Sequence, residues 1–145
     1  MESCVLYYIC GYVTRYINKH IKCNNCQIAV QGKTFCDMAE ATLTNIKTRG
    51  GLIHPSTFLF NLLTNLEESF QKFCNDYDVF QQTVDDFFNK KLKLINTFPC
   101  SMHKIEVLTF IISYYIKMRM CQYTKVLNND QKKRIQNLLI HRLKY

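Results

Sequence analysis

Apolar residues recur at spacings of three and four along most of this chain, a pattern that predicts helices. The first such stretch runs from about Cys4 to Ile21. Its expected inward positions are Val5, Ile9, Tyr12, Tyr16 and Ile17. Asn24-Asn25 and Gly32 predict a turn-rich segment over residues 23–33, because these residue types favour turns.

Longer helices are expected further along. After a weaker helix over residues 34–47, Ser56 follows His54-Pro55 and predicts a helix cap. The apolar stripe after that cap is Phe58, Leu59, Leu62, Leu63, Leu66 and Phe70. Further helices are expected over residues 79–95, 102–127 and 131–143. Strand-like alternation never persists, so the sequence predicts an all-α fold: one domain, residues 1–145, forming a compact bundle of five or six helices.

Composition agrees with a globular chain. The 145 residues are 48% hydrophobic, enough for a buried core. The most apolar stretch, residues 107–116, is too short to span a membrane. No signal peptide is recognisable, so we expect an intracellular, reducing compartment, nuclear or cytoplasmic, and no secretion. In such a compartment the eight cysteines serve as metal ligands or buried thiols, and Cys4, Cys10, Cys74 and Cys121 are expected in or near the core.

Two ligand pairs predict a metal site. Cys23 and Cys26 are three residues apart, as are Cys100 and His103. Together they form a Cys₃His set, which suits a closed, tetrahedral, structural Zn²⁺ site. We expect this zinc to clasp the helical bundle. Two alternatives remain open: the cysteines are ordinary buried thiols, or Cys36 or His20 replaces one of the four ligands.

Basic residues concentrate at the end of the chain. Residues 101–145 carry nine Lys and Arg against two Asp and Glu, within an overall net charge of +8. Such a segment favours polyanionic partners, nucleic acid first. The candidate phosphate-binding residues are Lys117, Arg119, Lys125, Lys132, Lys133, Arg134, Arg142 and Lys144. A solvated helix face is the alternative, and the earlier tyrosines are expected in the core.

No pattern indicates catalysis. The acidic residues expected on a solvated face are Glu67, Glu68, Asp76, Asp78, Asp85 and Asp86. Two-metal chemistry needs carboxylates that converge on two ions, and these lie at adjacent or outward helix positions. Gly50-Gly51 lacks the lysine and strand of a phosphate-binding loop. We therefore expect no enzymatic activity and no small-molecule substrate.

Several phrases occur in a characteristic order. They are YICGYV at residues 8–13, the Cys23/Cys26 pair, RGGLIHPS at 49–56, EESF at 67–70, the Cys100/His103 pair, and a helix with Tyr114, Tyr115 and Arg119. This order resembles the C-terminal domain of P-element-like, THAP-type DNA transposases. The resemblance spans nearly the whole chain.

The resemblance implies an accessory role. In that family an RNase H-like domain performs strand transfer and an N-terminal zinc-dependent domain recognises DNA, and we expect neither here. The expected function is to contact DNA or to bridge transposase subunits, as a separated, domesticated or decayed piece of a transposon. Expected partners are DNA, through phosphate contacts, and transposase or a second copy of this chain. The alternative is a zinc-stabilised protein–protein adaptor with no DNA role.

Overall fold

The computed structural model describes residues 3–32, 54–122 and 129–144. These residues form six α-helices, and apart from one isolated bridge between Gln31 and Pro55 they contain no strand. The helices are α1 (Ser3–His20), α2 (Asn24–Val30), α3 (Thr57–Phe73), α4 (Val79–Asn96), α5 (Lys104–Gln122) and α6 (Asn129–Lys144). The predicted all-α class is confirmed. The expected helix over residues 34–47 lies outside the described residues.

The chain divides into two compact units, and the division falls within α3. Unit 1 comprises residues 1–64 and 97–101, and unit 2 comprises residues 65–96 and 102–145. Unit 1 therefore contains α1, α2 and the first half of α3. The second half of α3, α4, α5 and α6 belong to unit 2.

The buried face of α1 differs from the predicted one. Cys10, Val13 and Ile17 are fully buried, whereas Tyr12 and Tyr16 are 43% and 42% exposed. Of the five expected inward positions, only Ile17 is buried. The physical reason is that α1 can bury the polar Thr14, whose hydroxyl bonds to the carbonyl oxygens of Cys10 and Val30 at 2.9 and 3.2 Å. Tyrosine, by contrast, can leave its hydroxyl in water.

Residues 24–30 form a short helix where turns were expected. Cys26, Ala29 and Val30 of α2 are buried, so tertiary packing stabilises a helix that local propensity alone would not. The side-chain amide of Gln27 donates to the carbonyl oxygens of Ile21 and Asn18, at 2.8 and 3.3 Å. These bonds tie α2 to the end of α1.

The segment before α3 closes against the end of α2. The amide of Gly32 donates to the carbonyl of His54 at 2.8 Å, and the amide of Ser56 donates to the carbonyl of Val30 at 2.7 Å. A Cβ at Gly32 would lie 2.3 Å from the carbonyl oxygen of Pro55, so only glycine permits this approach. The hydroxyl of Ser56 accepts a bond from the amide of Leu59 at 3.1 Å, which confirms the predicted cap of α3.

Unit 2 has an apolar core of its own. Its fully buried side chains include Leu66, Phe70, Val84, Phe87, Leu108, Ile111, Ile112 and Tyr115. Helix α6 packs on α5 and α4, and buries Leu139. Residues 123–127, at the end of the expected long helix, lie outside the described residues.

Two sequence-based expectations about the surface can be checked. Cys10 is buried, but Cys121, expected in or near the core, is exposed near the end of α5, because its position faces away from Leu108, Ile112 and Tyr115. None of the described helices combines the length and apolar content needed to cross a membrane.

Candidate metal centre

Local structure brings the first ligand pair together at the start of a helix. Cys23 immediately precedes α2 and its carbonyl accepts the amide of Gln27 at 3.1 Å, so Cys26 lies one helical turn further on. The second pair occupies a turn, with Cys100 at its start and His103 directly before α5. Cys26 and Cys100 are buried, whereas Cys23 and His103 are half-buried.

All four predicted ligands meet in one place. The Sγ atoms of the three cysteines and a ring nitrogen of His103 lie within 4.8 Å of one another. The Sγ atoms of Cys23 and Cys100 are 3.9 Å apart. Zn–S bonds of about 2.3 Å at a tetrahedral angle separate two sulfurs by about 3.8 Å. The geometry therefore fits an ion held by four side chains. We call these residues the metal cluster: Cys23, Cys26, Cys100 and His103.

The thiol electrostatics of the metal cluster also fit a cation. Burial, together with the neighbouring Cys100 and Cys23 thiols, raises the pKa of Cys26 to about 12. A backbone hydrogen bond from Cys26 holds the pKa of Cys23 below its ordinary value. Three thiolates this close would repel one another, and a bound divalent cation reverses that penalty by stabilising the deprotonated thiols.

Of the two alternative ligands, His20 does not join the metal cluster. The ring of His20 stacks on Tyr16, with centroids 4.1 Å apart, and His20 is exposed. Cys36 lies outside the described residues. The set that the spacing predicts is therefore the set that the structure assembles.

The predicted phosphate-binding residues have varied surroundings. Lys133, Arg134 and Lys144 are exposed on α6, and Lys117 is half-buried on α5. Arg142 is paired with Asp85. Lys125 and the side chain of Lys132 lie outside the described residues. The remaining candidate, Arg119, needs a correction.

Arg119 is buried and cannot grip a phosphate at the surface. It is 7% exposed, and its Nε and a terminal nitrogen each donate to a carboxylate oxygen of Glu67 at 2.8 Å. The guanidinium also lies over the Phe70 ring, 5.1 Å from its centroid. We therefore remove Arg119 from the phosphate-binding set.

Glu67 was expected on a solvated acidic face and is instead 6% exposed. Its carboxylate accepts further bonds from the hydroxyl of Tyr115 at 2.6 Å and the side-chain amide of Gln71 at 2.9 Å. Burial by itself raises the pKa of Glu67, but the bonds from Arg119, Tyr115 and Gln71 outweigh it and hold the pKa below its usual range. The one sequence signal was position, since Glu67 falls between Leu63 and Phe70 on the apolar stripe of α3.

Asp86 is part of a second polar cluster in unit 2. It accepts a bond from the hydroxyl of Ser69 at 2.7 Å and pairs with Lys90 at 3.0 Å and Lys72 at 3.4 Å. Partial burial alone raises its pKa, but the bonds from Ser69 and Lys90 and the charge of Lys72 lower it overall. Glu67, Asp85 and Asp86 thus serve as ion-pair partners within the fold.

The described residues are helical, and their clustered Cys₃His set could hold a metal ion, which defines a helical domain with a candidate metal site. The model for the C-terminal domain of the DNA transposase THAP9 matches residues 1–125, so the chain belongs to that family. The resemblance to THAP-type transposases is confirmed, and the chain is transposase-related. No curated protein and no solved structure matches it.

Proposed function

We propose that this chain is a non-catalytic accessory domain of transposition, which one structural zinc ion stabilises and which contacts DNA through phosphates. The observation that carries the proposal is the metal cluster, whose four side chains provide every ligand of a tetrahedral ion. A catalytic zinc needs an open position for water or substrate, whereas a closed Cys₃His site contributes folding energy instead.

Zinc is the metal that the donor set favours. Three thiolates and one imidazole are soft or borderline ligands, which suit Zn²⁺ and disfavour Mg²⁺ or Ca²⁺. The bound ion would fix the start of α2 relative to the turn at Cys100. Both features lie in the matched family region, residues 1–125.

The ion pairs of the acidic residues favour a non-catalytic role. Glu67, Asp85 and Asp86 each bind a basic side chain, namely Arg119, Arg142 and Lys90. Carboxylates that hold catalytic metals must instead turn their charge toward the ions. These three carboxylates are therefore already engaged in ion pairs within the fold.

The DNA role is supported by the charge of α6 and by the family. Lys133, Arg134 and Lys144 are exposed on this helix, and phosphate contacts of this kind do not depend on base sequence. The same contacts release counterions, so binding weakens steeply as salt rises. A DNA role places the protein in the nucleus, and the seven described cysteines, all thiols, suit a reducing compartment.

Bridging of transposase subunits is the second half of the proposed role. Neither a zinc-stabilised fold nor phosphate contacts require an attached catalytic domain, so the same properties would serve a domesticated protein. The competing function is an adaptor that binds proteins only.

The test combines metal analysis with DNA retention. We expect one zinc per purified, untagged chain, and three thiols that become reactive only after chelation. Duplex DNA retention at low salt should fall in the double variant Lys133→Glu/Arg134→Glu. The control is Lys93→Glu, a charge reversal at an exposed lysine of α4 in the same unit.

The outcomes separate the two functions. Retention that falls for the α6 variant and much less for Lys93→Glu supports DNA contact through α6. No retention of duplex DNA by the zinc-loaded chain, together with self-association that the α6 changes leave intact, would favour the adaptor. Absence of bound metal in a folded chain would remove the structural zinc from the proposal.

A further inference from the structure

One face of α1 carries aromatic side chains at regular intervals. Tyr8, Tyr12, Tyr16 and His20 are four residues apart, so they follow one another along the same side of the helix. We call these four residues the α1 aromatic stripe. With a rise of 1.5 Å per residue it is about 18 Å long. Tyr12 and Tyr16, in its middle, are 43% and 42% exposed.

Contacts within the stripe hold its rings in place. The hydroxyls of Tyr8 and Tyr12 are 2.9 Å apart, and their rings pack edge to face with centroids separated by 5.1 Å. The rings of Tyr16 and His20 are 4.1 Å apart with an angle of 37° between their planes. Rings that are already ordered lose little entropy when a flat ligand stacks on them.

The charged side chains of residues 3–32 are all basic. Arg15 and Lys19 are exposed on the same face of α1, and Lys22 is exposed just after its end. Residues 3–32 contain no Asp or Glu. The hydrogen bond with Tyr12 also raises the pKa of Tyr8, so this phenol adds no negative charge at neutral pH.

We propose that the α1 aromatic stripe, with Arg15 and Lys19, binds single-stranded DNA by stacking bases on its tyrosines and pairing phosphates with its cations. Aromatic side chains interspersed with basic ones are the combination by which proteins hold single strands without sequence preference. At about 3.4 Å per stacked nucleotide, the stripe would cover about five nucleotides.

Single strands fit this surface better than duplex or an acidic protein. In a duplex the base faces are already stacked on each other, so they cannot reach the tyrosines. An acidic peptide would satisfy Arg15 and Lys19 but would leave the tyrosines without flat partners. We commit to DNA because the chain belongs to a DNA transposase family.

This inference is independent of the α6 contacts in the proposed function. The stripe lies in unit 1, whereas Lys133 and Arg134 lie in unit 2. Charge reversal on α6 therefore tests one surface and substitution on α1 tests the other. Loss of duplex retention alone says nothing against the stripe, and loss of single-strand binding alone says nothing against α6.

The experiment measures binding of the zinc-loaded full chain to a fluorescein-labelled thymidine oligomer of about 20 nucleotides, longer than the sites of about 4–16 nucleotides that single folds cover. The Tyr12→Ala/Tyr16→Ala variant should raise the Kd by roughly tenfold or more, because each stacked base contributes substantially to the binding free energy. Tyr12→Phe/Tyr16→Phe keeps the rings and should bind like the unmodified chain.

Two controls separate stacking from other effects. Tyr77→Ala removes a tyrosine that is 97% exposed but lies in unit 2, so it should not change the Kd. Arg15→Ala should reduce the salt dependence by about one phosphate contact while leaving the tyrosines in place. All variants should keep the helical circular dichroism of the unmodified chain, since the substituted residues are exposed.

Three results would overturn the proposal. The alanine variant could bind the oligomer as tightly as the unmodified chain. The phenylalanine variant could lose as much affinity as the alanine variant, which would exclude stacking. Duplex DNA of the same length could compete as well as the single strand, which would leave only a general charge attraction.

Discussion

Unit 1 and unit 2 both contain buried ionisable side chains, but they compensate them differently. The metal cluster crowds the thiols of Cys23, Cys26 and Cys100, none of which brings a positive charge. In unit 2 the carboxylate of Glu67 is matched by the guanidinium of Arg119 and by two further donors. The carboxylate of Glu67 therefore has its counter-charge within unit 2, whereas the three thiols lie in unit 1 and could hold a metal ion.

From this comparison we expect the stability of the protein to depend on different perturbations at the two sites. Metal-binding energy becomes folding energy only when the ligands are deprotonated and the ion is present. A buried ion pair is indifferent to chelators but sensitive to the loss of either partner. Stability tests can therefore address the two sites one at a time.

The largest expected effect comes from the metal cluster. Cys26→Ser should remove metal binding. It should lower the free energy of unfolding by roughly several kcal/mol, because the binding energy of a structural metal contributes to folding. Chelation should act on the unmodified chain in the same direction and add little in Cys26→Ser. Thermal melting with and without a chelator measures both effects.

The matched control for this variant is Cys121→Ser, which changes an exposed cysteine outside the metal cluster. It should melt like the unmodified chain and retain its chelator sensitivity. Equal melting of Cys26→Ser and the unmodified chain, both prepared with zinc, would show that the cluster contributes nothing to folding.

The next effect should come from the buried ion pair. Arg119→Met leaves the carboxylate of Glu67 buried without its counter-charge, which typically costs about 3–5 kcal/mol. Chelation should destabilise this variant as much as it destabilises the unmodified chain, because the metal cluster is untouched. Urea unfolding in both conditions provides the measurement.

Arg134→Met is the control, since Arg134 is exposed on α6 and its loss should cost no more than about 0.5 kcal/mol. The assignment of Glu67 and Arg119 as a stabilising pair would be wrong if the two arginine variants unfolded at the same urea concentration.

The smallest effect is the pH dependence of unit 2. Because the folded-state pKa of Glu67 is depressed, its contribution is fully present above the unfolded value of about 4.3. That contribution is lost as the pH falls through the folded value. In Arg119→Met the burial of Glu67 favours its protonated form, so acid removes the cost of the unpaired charge.

The gap in unfolding free energy between the unmodified chain and Arg119→Met should therefore narrow in acid. For either protein, the free energy of unfolding changes by about 1.4 kcal/mol per pH unit wherever Glu67 is protonated in only one of the folded and unfolded states. Urea unfolding from neutral pH down to pH values near the unfolded pKa tests this. If the difference in unfolding free energy between the two proteins were the same at every pH, the charge of Glu67 would play no part in that difference.

Much of the fold follows from short-range pattern. Ser56 caps α3 as expected, because a cap depends on the few residues after it. The four residues of the metal cluster were also predictable, since each pair is local and its chemistry is specific. Residues 24–30 were misread as turns because seven residues form a stable helix only when packing buries Cys26, Ala29 and Val30.

The wrong predictions of burial for the α1 tyrosines and for Glu67 have a common cause. Tyr12 and Tyr16 were expected inside and are exposed, whereas Glu67 was expected outside and is buried. Each of these side chains has both apolar and polar parts, so hydropathy alone does not decide whether it is buried or exposed. What decides it is whether a partner lies nearby, and Arg119 is 52 residues away from Glu67 along the chain.

Local sequence was therefore enough for the helical class, most helix limits and the four residues of the metal cluster. Each of these depends on spacings of three or four residues and on side-chain chemistry. Packing alone chose the buried face of α1, the counter-charge of Glu67 and the exposure of the α1 aromatic stripe. The reason is that periodicity records neighbours within a few turns of helix, whereas burial depends on groups that only folding brings close.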